Sequence, residues 1–442
     1  MDRNPREVAV RLLSEKGGAS RSSLLDALRD PRDRALAIEL VSGVIKWRRL
    51  IDRELARMST RPLDKISPRL LSALRVGAFQ LLFTGMPAYA AVNTAVGCLK
   101  GPGERAFANA VLRGVSRCLG HVELPSIDHD EVLYGALRYS YPDWIASLFI
   151  ERFGLSSALA LLDLGNRPAP LTLRVNDLRV TAEAYLETLR EKGIEAELGA
   201  QDVAVKLKLK RGADVASLPG YREGLFAVQD EGAIAVGEVV APAPSEEVWD
   251  VCAAPGGKTT HLAQMMKGSG RVLATDVNEE RAAMVTENAS RLGLENIEVR
   301  VLDATRADLG RSFDRILIDA PCSGLGTIRR NPDLRWNHRP EDIPKMAERQ
   351  ALLLEAAVKH LRAGGVLVYS TCTLTKEENE GVFSEFLKKH PELAPDDPAG
   401  PSGQGTRRLF AGPPFAGPGY RYILPHLSGT DGFFVARAVK RG

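Results

Sequence analysis

The spacing of apolar residues changes along the 442-residue chain and predicts three regions of different structure. From residue 3 to about residue 119, apolar residues recur at steps of three and four, as at Leu40 and Val44, which is the period of an amphipathic helix. Breaks at Gly and Pro divide this stretch into five or six helices. We therefore expect an all-α N-terminal domain over residues 1–123, with Leu70–Leu82 as its central helix.

The segment 124–243 mixes strand and helix patterns, and we expect a small α/β connector there. Strands are predicted at Leu171–Asn176 and Val203–Leu209, with a helix at Ala182–Lys192 between them. The second strand alternates apolar residues with three lysines, which share one face: Lys206, Lys208 and Lys210. These lysines would either contact phosphates or protect a solvated edge strand from aggregation.

From about Glu246 onward, short apolar strands alternate with helical patterns, which is typical of a doubly wound parallel sheet. We expect a Rossmann-like α/β domain over residues 244–442. Its predicted strands are Glu247–Val251, Arg271–Asp276, Ile297–Leu302, Arg315–Asp319 and Val366–Ser370. Its predicted helices include Glu279–Leu292 and Ile343–Leu361. The Pro- and Gly-rich segment Ala399–Gly419 predicts a surface loop before a final hairpin, Tyr420–Ile423 with Gly432–Ala438.

Composition is that of a globular protein, with 44% hydrophobic and 26% charged residues. No apolar run reaches the roughly 20 residues of a membrane helix, and the N-terminus has no signal-peptide core, so we expect a cytoplasmic protein. The five cysteines are scattered and form no Cys-x-x-Cys pair. We therefore expect free thiols and no metal site.

The positive charge of the chain is concentrated at its N-terminal end. Residues 1–120 hold 21 basic and 11 acidic residues, whereas the remaining 322 hold 38 basic and 45 acidic. Such a division favours binding of a polyanion, most plainly nucleic acid, by the N-terminal domain. The alternative is a helical surface that is simply rich in arginine.

The stretch Val248–Thr260 joins an apolar strand to a helix through a Pro-Gly-Gly turn and indicates a ligand site. Glycines let a ligand approach the backbone, and the free N–H groups of a helix start point toward it. A Walker A loop needs glycine where Cys252 stands, and the turn lacks the Gly-x-Gly-x-x-Gly dinucleotide pattern. We therefore predict an S-adenosylmethionine site whose turn residues are Cys252, Ala253, Ala254, Pro255, Gly256, Gly257 and Lys258.

Two carboxylates follow the next two predicted strands and extend this site. Asp276 stands 20 residues after Gly256 and can accept hydrogen bonds from the ribose hydroxyls, while Asp303 can bind the adenine amino group. Either carboxylate could instead cap the helix that follows it. Because parallel strands end at one edge of the sheet, we expect both at the same crevice.

Four motifs resemble those of RNA cytosine-5 methyltransferases in order and spacing: "DVCAAPGGKTTHLA", "DAPCSGLGTIRRNPDLRW", "YSTCTLTKEENE" and "GTDGFFVA". The N-terminal runs "LRVGAFQLLF", "MPAYAAVNTAV" and "AFANAVLRGV" resemble the NusB-type RNA-binding domain. Together they resemble the bacterial Sun/RsmB-type enzymes. This resemblance implies methylation of cytosine C5 in small-subunit (16S) ribosomal RNA through a covalent cysteine–C6 adduct, by a protein that we expect to be a monomer.

Cytosine C5 is a poor nucleophile, so its methylation needs a thiolate that first adds at C6. Cys322 and Cys372 both follow predicted strand ends, and the chemistry alone does not rank them. The resemblance implies that Cys372 is the nucleophile and Cys322 aids release. It also implies that Asp319 contacts cytosine N3 or N4 and borders the cofactor.

Two further predictions concern the surroundings of these cysteines. Lys258 would lower a thiol pKa or orient the base, unless it faces solvent, and Cys252 would shape the cofactor wall. The loop Thr327–Trp336 would bind the RNA backbone through its arginines, Arg329, Arg330 and Arg335. Its Trp336 is either a base-stacking residue or a core anchor.

Three other functions stay open at this point. The substrate could be transfer RNA, or the chain could be an RNA-binding protein that retains a methyltransferase-like fold without activity. A P-loop ATPase is the third, because Ile316–Asp319 resembles a Walker B strand. The joint presence of Asp276, Asp303, Asp319 and two cysteines favours the enzyme.

Overall fold

The computed structural model describes residues 4–15, 24–25, 27–118, 123–207 and 215–442. These residues fall into two compact units. The first holds the described residues up to Asn166, and the second holds 167–207 and 215–442.

The first unit is helical, as predicted. Its helices are α1 (Pro5–Ser14), α2 (Pro31–Met58), α3 (Pro68–Phe83), α4 (Ala88–Gly97), α5 (Pro102–Arg117), α6 (Glu131–Tyr139), α7 (Asp143–Phe153) and α8 (Leu155–Leu164). Proline stands in the first turn of α1, α2, α3 and α5, where its missing N–H costs no hydrogen bond. Helix α3, predicted as Leu70–Leu82, is the most buried of them and supplies Leu70, Leu74 and Phe79 to the core.

Helices α6 to α8 pack in the first unit, although the sequence pattern groups them with the connector. The backbone N–H of Arg49 donates to Ser140 Oγ at 2.9 Å, and its guanidinium donates to the Tyr141 carbonyl at 2.7 Å. Apolar periodicity identifies a helix but not the core against which it packs. The boundaries of independently folding domains at 123 and 243 stay predictions.

The second unit begins with a four-stranded antiparallel sheet, in the order β2-β3-β1-β4. Its strands are β1 (Leu171–Val175), β2 (Ala196–Leu198), β3 (Ala204–Leu207) and β4 (Phe226–Val228), and α9 (Ala182–Glu191) packs on them. Strand β3 lies between two others, so the prediction of a solvated edge strand is wrong. Lys206 pairs with the buried Glu231 at 2.5 Å, while Lys208 and Lys210 lie outside the described residues.

A larger sheet follows, and its central strands are parallel, as predicted. The strands are β5 (Glu247–Asp250), β6 (Arg271–Asp276), β7 (Ile297–Val301), β8 (Phe313–Asp319), β9 (Leu361–Thr371), β10 (Leu393–Pro395), β11 (Ala416–Gly417), β12 (Tyr420–Ile423) and β13 (Phe433–Lys440). Their order is β11-β12-β13-β9-β8-β5-β6-β7, and β10 pairs with β13. The chain runs from β5 to β6 and β7, and then returns to the other side of β5 as β8. This reversal opens a crevice at the carboxyl ends of the strands.

Eight helices of the second unit accompany this sheet in the described residues. They are α10 (Glu231–Val240), α11 (Gly257–Met265), α12 (Glu279–Leu292), α13 (Leu334–Asn337), α14 (Asp342–Ala357), α15 (Val382–Lys389), α16 (Gln404–Leu409) and α17 (Pro425–Ser428). Helix α14 ends before the predicted Leu361, because β9 already begins at that residue.

The segment Ala399–Gly419, predicted as a surface loop, is largely exposed or partly exposed but contains two short elements. This segment contains α16 and β11, and Thr406 and Leu409 are buried. The Arg407 guanidinium donates to the carbonyls of Ala399, Gly400 and Ser402 at 2.9 Å. Such side-chain hydrogen bonds order a segment too short and too rich in Gly and Pro to show an apolar period.

Candidate functional site

A cavity of about 340 Å³ opens at the carboxyl ends of the parallel strands. Its walls include seven predicted site residues: Cys252, Ala254, Asp276, Asp303, Asp319, Cys322 and Cys372. Its apolar walls come from Val277, Leu302 and Leu353. The sheet topology therefore gathers residues that are far apart in the sequence.

The glycine turn forms the floor of this region. The Ala253 N–H donates to the Thr275 carbonyl at 2.9 Å, which ties the turn to β6. Gly256 has a φ of 99°, and a Cβ there would lie 3.1 Å from the Cα of Val285. The turn therefore needs glycine at this position, and α11 begins directly after it.

Arg174 was not singled out from the sequence, and it braces the start of α11. Its guanidinium is fully buried and donates to the Gly257 carbonyl at 2.6 Å and to Thr260 Oγ1 at 2.9 Å. Burial lowers the pKa of Arg174 to about 9. The available signal was an arginine between the apolar residues Leu173 and Val175 of strand β1, a position where an unpaired charge would be costly.

Asp250 ends β5 beneath the turn. Thr259 Oγ1 donates to its carboxylate at 2.7 Å, and burial raises its pKa to about 7. Burial also raises the pKa of the Cys252 thiol. These groups shape the wall of the site, and neither Cys252 nor Asp250 is poised as a nucleophile.

The two predicted cofactor carboxylates both line the cavity, in different environments. Asp276 is 5% exposed and accepts a hydrogen bond from the Asn278 N–H at 3.0 Å through Oδ1. Its Oδ2 lies 3.6 Å from Arg281. Asp303 is more exposed and accepts from the N–H and hydroxyl of Thr305, which lower its pKa. Both carboxylates therefore line the cavity as hydrogen-bond acceptors. Each also accepts a hydrogen bond from the backbone N–H two residues further along the chain.

Lys258 points into the site, so the solvent-facing alternative is wrong. Its Nζ donates to Asp319 Oδ2 at 2.7 Å and lies 5.1 Å from the ring centre of Phe433. Burial lowers the pKa of Lys258, but the charge of Asp319 and the hydrogen bond to it outweigh this effect, and the pKa lies above its usual value. Ser370 Oγ donates to the other Asp319 oxygen at 2.7 Å.

Cys322 and Cys372 lie side by side, with their Sγ atoms 3.4 Å apart. Asp319 and Ser370 are register partners on the parallel strands β8 and β9, and each cysteine follows its strand within three residues. The hydrogen bond with Cys372, followed by burial, raises the pKa of Cys322, and the charges of Glu378 and Asp319 act in the same direction. Lys258 interacts electrostatically with Cys372. The pair is therefore asymmetric: two carboxylates act on Cys322, and the electrostatic interaction with Lys258 involves Cys372.

The arginine loop does not present its cations as predicted. Arg335 is fully buried, so its predicted contact with the RNA backbone is wrong. Arg330 pairs with Asp230 and Asp431, each at 2.6 Å, and Arg329 donates to the carbonyls of Pro168 and Gly429. Carboxylates and carbonyls of the protein itself therefore accept many of the arginine hydrogen bonds that were predicted to go to RNA. Trp336 is partly buried.

A second cavity of about 280 Å³ lies on the other side of the Lys258–Asp319 pair. Phe433, Asp230, Asp431 and Arg330 contribute to its walls. Because Lys258 and Asp319 face it while Asp319 also borders the first cavity, the two spaces meet at this ion pair. An aromatic face beside a cation and a carboxylate offers stacking and polar contacts of the kind that a nucleobase uses.

The residues around the first cavity fit S-adenosylmethionine. Its volume lies in the range of small-molecule sites, and Asp276 Oδ2 is a buried acceptor whose nearest cation stands at 3.6 Å. The apolar walls suit the flat adenine ring. The start of α11 lines the adjoining second cavity through Gly257 and Lys258, where backbone N–H groups of a helix start suit an anion such as the carboxylate of the methionine part.

Replacing Asp276 with asparagine is expected to weaken binding of S-adenosylmethionine about 10- to 100-fold, because a hydrogen bond to a charged acceptor contributes about 1.5–3 kcal/mol. Isothermal titration calorimetry measures this change. Glu279→Gln is the matched control, since Glu279 is an exposed carboxylate three residues further on. Unchanged affinity in Asp276→Asn would remove Asp276 from the cofactor site.

Two general features of the described residues bear on the function. Within the ranges that the structure describes, no helix has both the length and the apolar character needed to cross a membrane. The same part of the chain holds no group of three or more His, Cys, Asp and Glu side chains that could bind a metal ion.

Comparison with protein families assigns each part of the chain. Residues 238–439 match the family described as 16S rRNA methyltransferase RsmB/F. Residues 3–117 match the NusB family, and residues 141–216 match the ferredoxin-like domain of RsmF/B-like methyltransferases. These matches confirm the predicted fold classes.

Similar proteins extend over nearly the whole chain. It is 34% identical to the probable ribosomal RNA small subunit methyltransferase B of Bacillus subtilis, with 93% of this chain and 91% of that protein aligned. It is 36% identical to ribosomal RNA small subunit methyltransferase B of Pseudomonas syringae pv. tomato, over 99% and 97% of the two chains.

Solved structures show the same architecture. The crystal structure of PH0851 has a TM-score of 0.81 and 27% identity, with both chains covered completely. NSun6 from Pyrococcus horikoshii, crystallised with SFG, has a TM-score of 0.60 and 24% identity over 68% of this chain and 98% of that chain, which is a likeness of fold. The family match confirms S-adenosylmethionine as the cofactor. The chain belongs to the RsmB/F family of 16S rRNA methyltransferases.

Proposed function

We propose that this protein methylates C5 of a cytosine in 16S ribosomal RNA through a covalent adduct between Cys372 and C6 of the base. The observation that carries the proposal is the 3.4 Å contact between Cys322 and Cys372 at the rim of the cofactor cavity. A single buried thiol would be ordinary packing, whereas two thiols beside a cation and a carboxylate suit nucleophilic catalysis.

Attack begins at Cys372. Its thiolate adds to C6, a C6–S bond forms, and the electrons of the C5–C6 double bond move to C5. Lys258 interacts electrostatically with Cys372, so a cation belongs to the surroundings of the attacking sulfur. Cys322 is the weaker candidate for this step, because its hydrogen bond with Cys372, its burial and two neighbouring carboxylates all raise its pKa.

Lys258 and Asp319 hold the base in complementary ways. Both Asp319 oxygens already accept hydrogen bonds, so the carboxylate acts as an acceptor and suits the exocyclic amino group at N4. Cytosine N3 is itself an acceptor and needs a donor, which the Lys258 ammonium provides. That hydrogen bond draws electrons toward N3 and makes C6 more electrophilic.

Methyl transfer and release complete the cycle. S-adenosylmethionine supplies the methyl group, which C5 takes with the electrons gained in the first step. The C5 proton must then leave, its electrons re-form the C5–C6 double bond, and the C6–S bond breaks. Cys322 can take this proton only as a thiolate, so its own proton first leaves to water. The loss of its hydrogen bond with Cys372, which is the largest cause of its raised pKa, favours that loss once the Cys372 sulfur is bonded to carbon.

Besides the catalytic site, the enzyme needs a surface that contacts the RNA polyanion, and the first unit is suited to provide it. Residues 1–120 carry 21 basic against 11 acidic side chains, and residues 3–117 match the NusB family. We propose that this unit binds the RNA backbone, since dispersed arginines suit phosphate contacts more than base recognition.

Bisulfite sequencing of ribosomal and transfer RNA from cells with and without the gene tests this proposal. Loss of the signal at a 16S rRNA cytosine, restored by the wild-type gene and not by Cys372→Ala, is the expected result. Loss confined to transfer RNA would reassign the substrate, and no loss in either RNA would contradict cytosine-5 methylation.

A further inference from the structure

The loops that carry the two cysteines meet at one buried carboxylate, that of Glu378. Its Oε1 accepts from the Ser323 N–H at 2.9 Å and from Gln350 Nε2 at 3.1 Å. Its Oε2 accepts from Ser323 Oγ at 2.5 Å and from Thr375 Oγ1 at 2.8 Å. All four side chains are fully buried, so both oxygens find their partners inside the protein.

These partners stand next to the reacting sulfurs in the chain. Ser323 directly follows Cys322, and its Oγ also lies 2.6 Å from the Oγ1 of Thr373, which directly follows Cys372. Glu378 therefore ties the two loops to one point, one residue away from each cysteine.

Asn379 fixes the backbone on both sides of Cys372. It accepts from Thr371 Oγ1 at 2.5 Å and donates to the Thr373 carbonyl at 3.1 Å. Glu378 and Asn379 share a π-helical turn, Glu377–Gly381, in which Asn379 has non-helical angles of −109° and −107°. Turns of this kind occur frequently at functional sites.

Stability alone gives a poor account of this arrangement. A buried carboxylate carries a desolvation cost, and apolar residues of similar volume frequently stabilise a core as well or better. What the network determines is where Cys322 lies relative to Cys372. A misplacement of about 1 Å can lower the rate of a catalysed step about 10²-fold.

We propose that Glu378 is a positioning residue that holds the Cys322 and Cys372 loops in contact, so that one sulfur can attack the base while the other receives the proton. Its effect on methyl transfer rests on the proposed function above. Its effect on the distance between the sulfurs does not.

The test measures sulfur proximity and catalysis separately in Glu378→Ala, with Glu377→Ala, an exposed neighbour in the same turn, as the matched control. The first readout is the rate at which diamide, which is reduced as it oxidises two thiols, joins Cys322 to Cys372, followed by mass spectrometry. The second is methylation of a 16S rRNA transcript, measured as a single-turnover rate and, from steady-state rates, as the KM for RNA. Circular dichroism and cofactor titration establish that each variant is folded.

Glu378→Ala is expected to slow disulfide formation and methyl transfer each about 10- to 100-fold, while the KM for RNA stays within about threefold of wild type. Glu378→Gln is expected to recover most of both rates. Its side-chain carbonyl can accept from the Ser323 N–H and from Gln350. Its NH₂ group can donate to the hydroxyls of Ser323 and Thr375, which can rotate to accept. If Glu378→Ala does not fold, Ser323→Ala takes its place, since it removes one hydrogen bond of the carboxylate and the link to Thr373.

The outcomes separate the two proposals. Slower disulfide formation in folded Glu378→Ala or Ser323→Ala, with recovery in Glu378→Gln, supports the positioning role even if the wild-type protein methylates no cytosine, a result that would overturn only the proposed function. Wild-type rates of both reactions in a folded Glu378→Ala would overturn the positioning role while leaving cytosine methylation intact.

Discussion

Cys372→Ala is expected to lower methyl transfer to 16S rRNA by at least about 10³-fold, because no other group in the site would form the bond to C6. Cofactor and RNA affinities should stay close to wild type, since Cys372 is one of many residues that line the first cavity and does not line the second. Incorporation of labelled methyl groups into a 16S rRNA transcript, together with calorimetric titration of S-adenosylmethionine, measures both quantities.

Cys118→Ala is the control for this substitution, since Cys118 is a free, partly exposed cysteine in the first unit. It should methylate at the wild-type rate. Residual methylation in Cys372→Ala above about one tenth of wild type would mean that another group activates the base.

Cys322→Ala is expected to form the covalent adduct with RNA but to release the methylated RNA slowly, whereas Cys372→Ala should form no adduct. The adduct forms through Cys372, but the proton on C5 has lost its acceptor, so breakdown slows by roughly 10²-fold, the usual size of a general-base effect. Denaturing gel electrophoresis with labelled RNA should show a slowly migrating protein–RNA species that builds up within one turnover.

The double variant Cys322→Ala/Cys372→Ala should form no such species. If Cys322→Ala were merely inactive and Cys372→Ala formed the stable complex, the two cysteines would exchange roles. The 3.4 Å contact between the sulfurs would then serve attack by Cys322.

The sequence predicted much of the catalytic domain because parallel strands impose a simple rule. Residues that follow successive strands end at one edge of the sheet, so Asp276, Asp303 and Asp319 could be grouped without coordinates. The cysteines could likewise be placed at this edge. Their sulfur-to-sulfur distance depends on loop paths beyond the strand ends, which no periodicity reports.

Partners distant in the chain account for most of what sequence reasoning missed. Lys206 resembled a surface lysine, yet it pairs with Glu231. Arg335 resembled an RNA-binding residue and is buried. Arg174 lay in a segment predicted only as a strand, and Glu378 lay in a sequence motif without a role assigned to it. A charged side chain shows its type in the sequence, but its pairing is set by tertiary contacts, so burial of a charge is the feature least accessible to pattern reasoning.

The most direct test of the account is the identity of the cysteine that bonds to RNA. A 16S rRNA fragment carrying 5-fluorocytosine at the target position should stall the reaction. Fluorine replaces the hydrogen that must leave C5 as a proton, and it cannot itself leave as a cation. Digestion of the stalled complex and tandem mass spectrometry of the linked peptide then locate the bond. The account predicts a link between C6 and the sulfur of Cys372. A link to Cys322, or no covalent complex with an active enzyme, would contradict it.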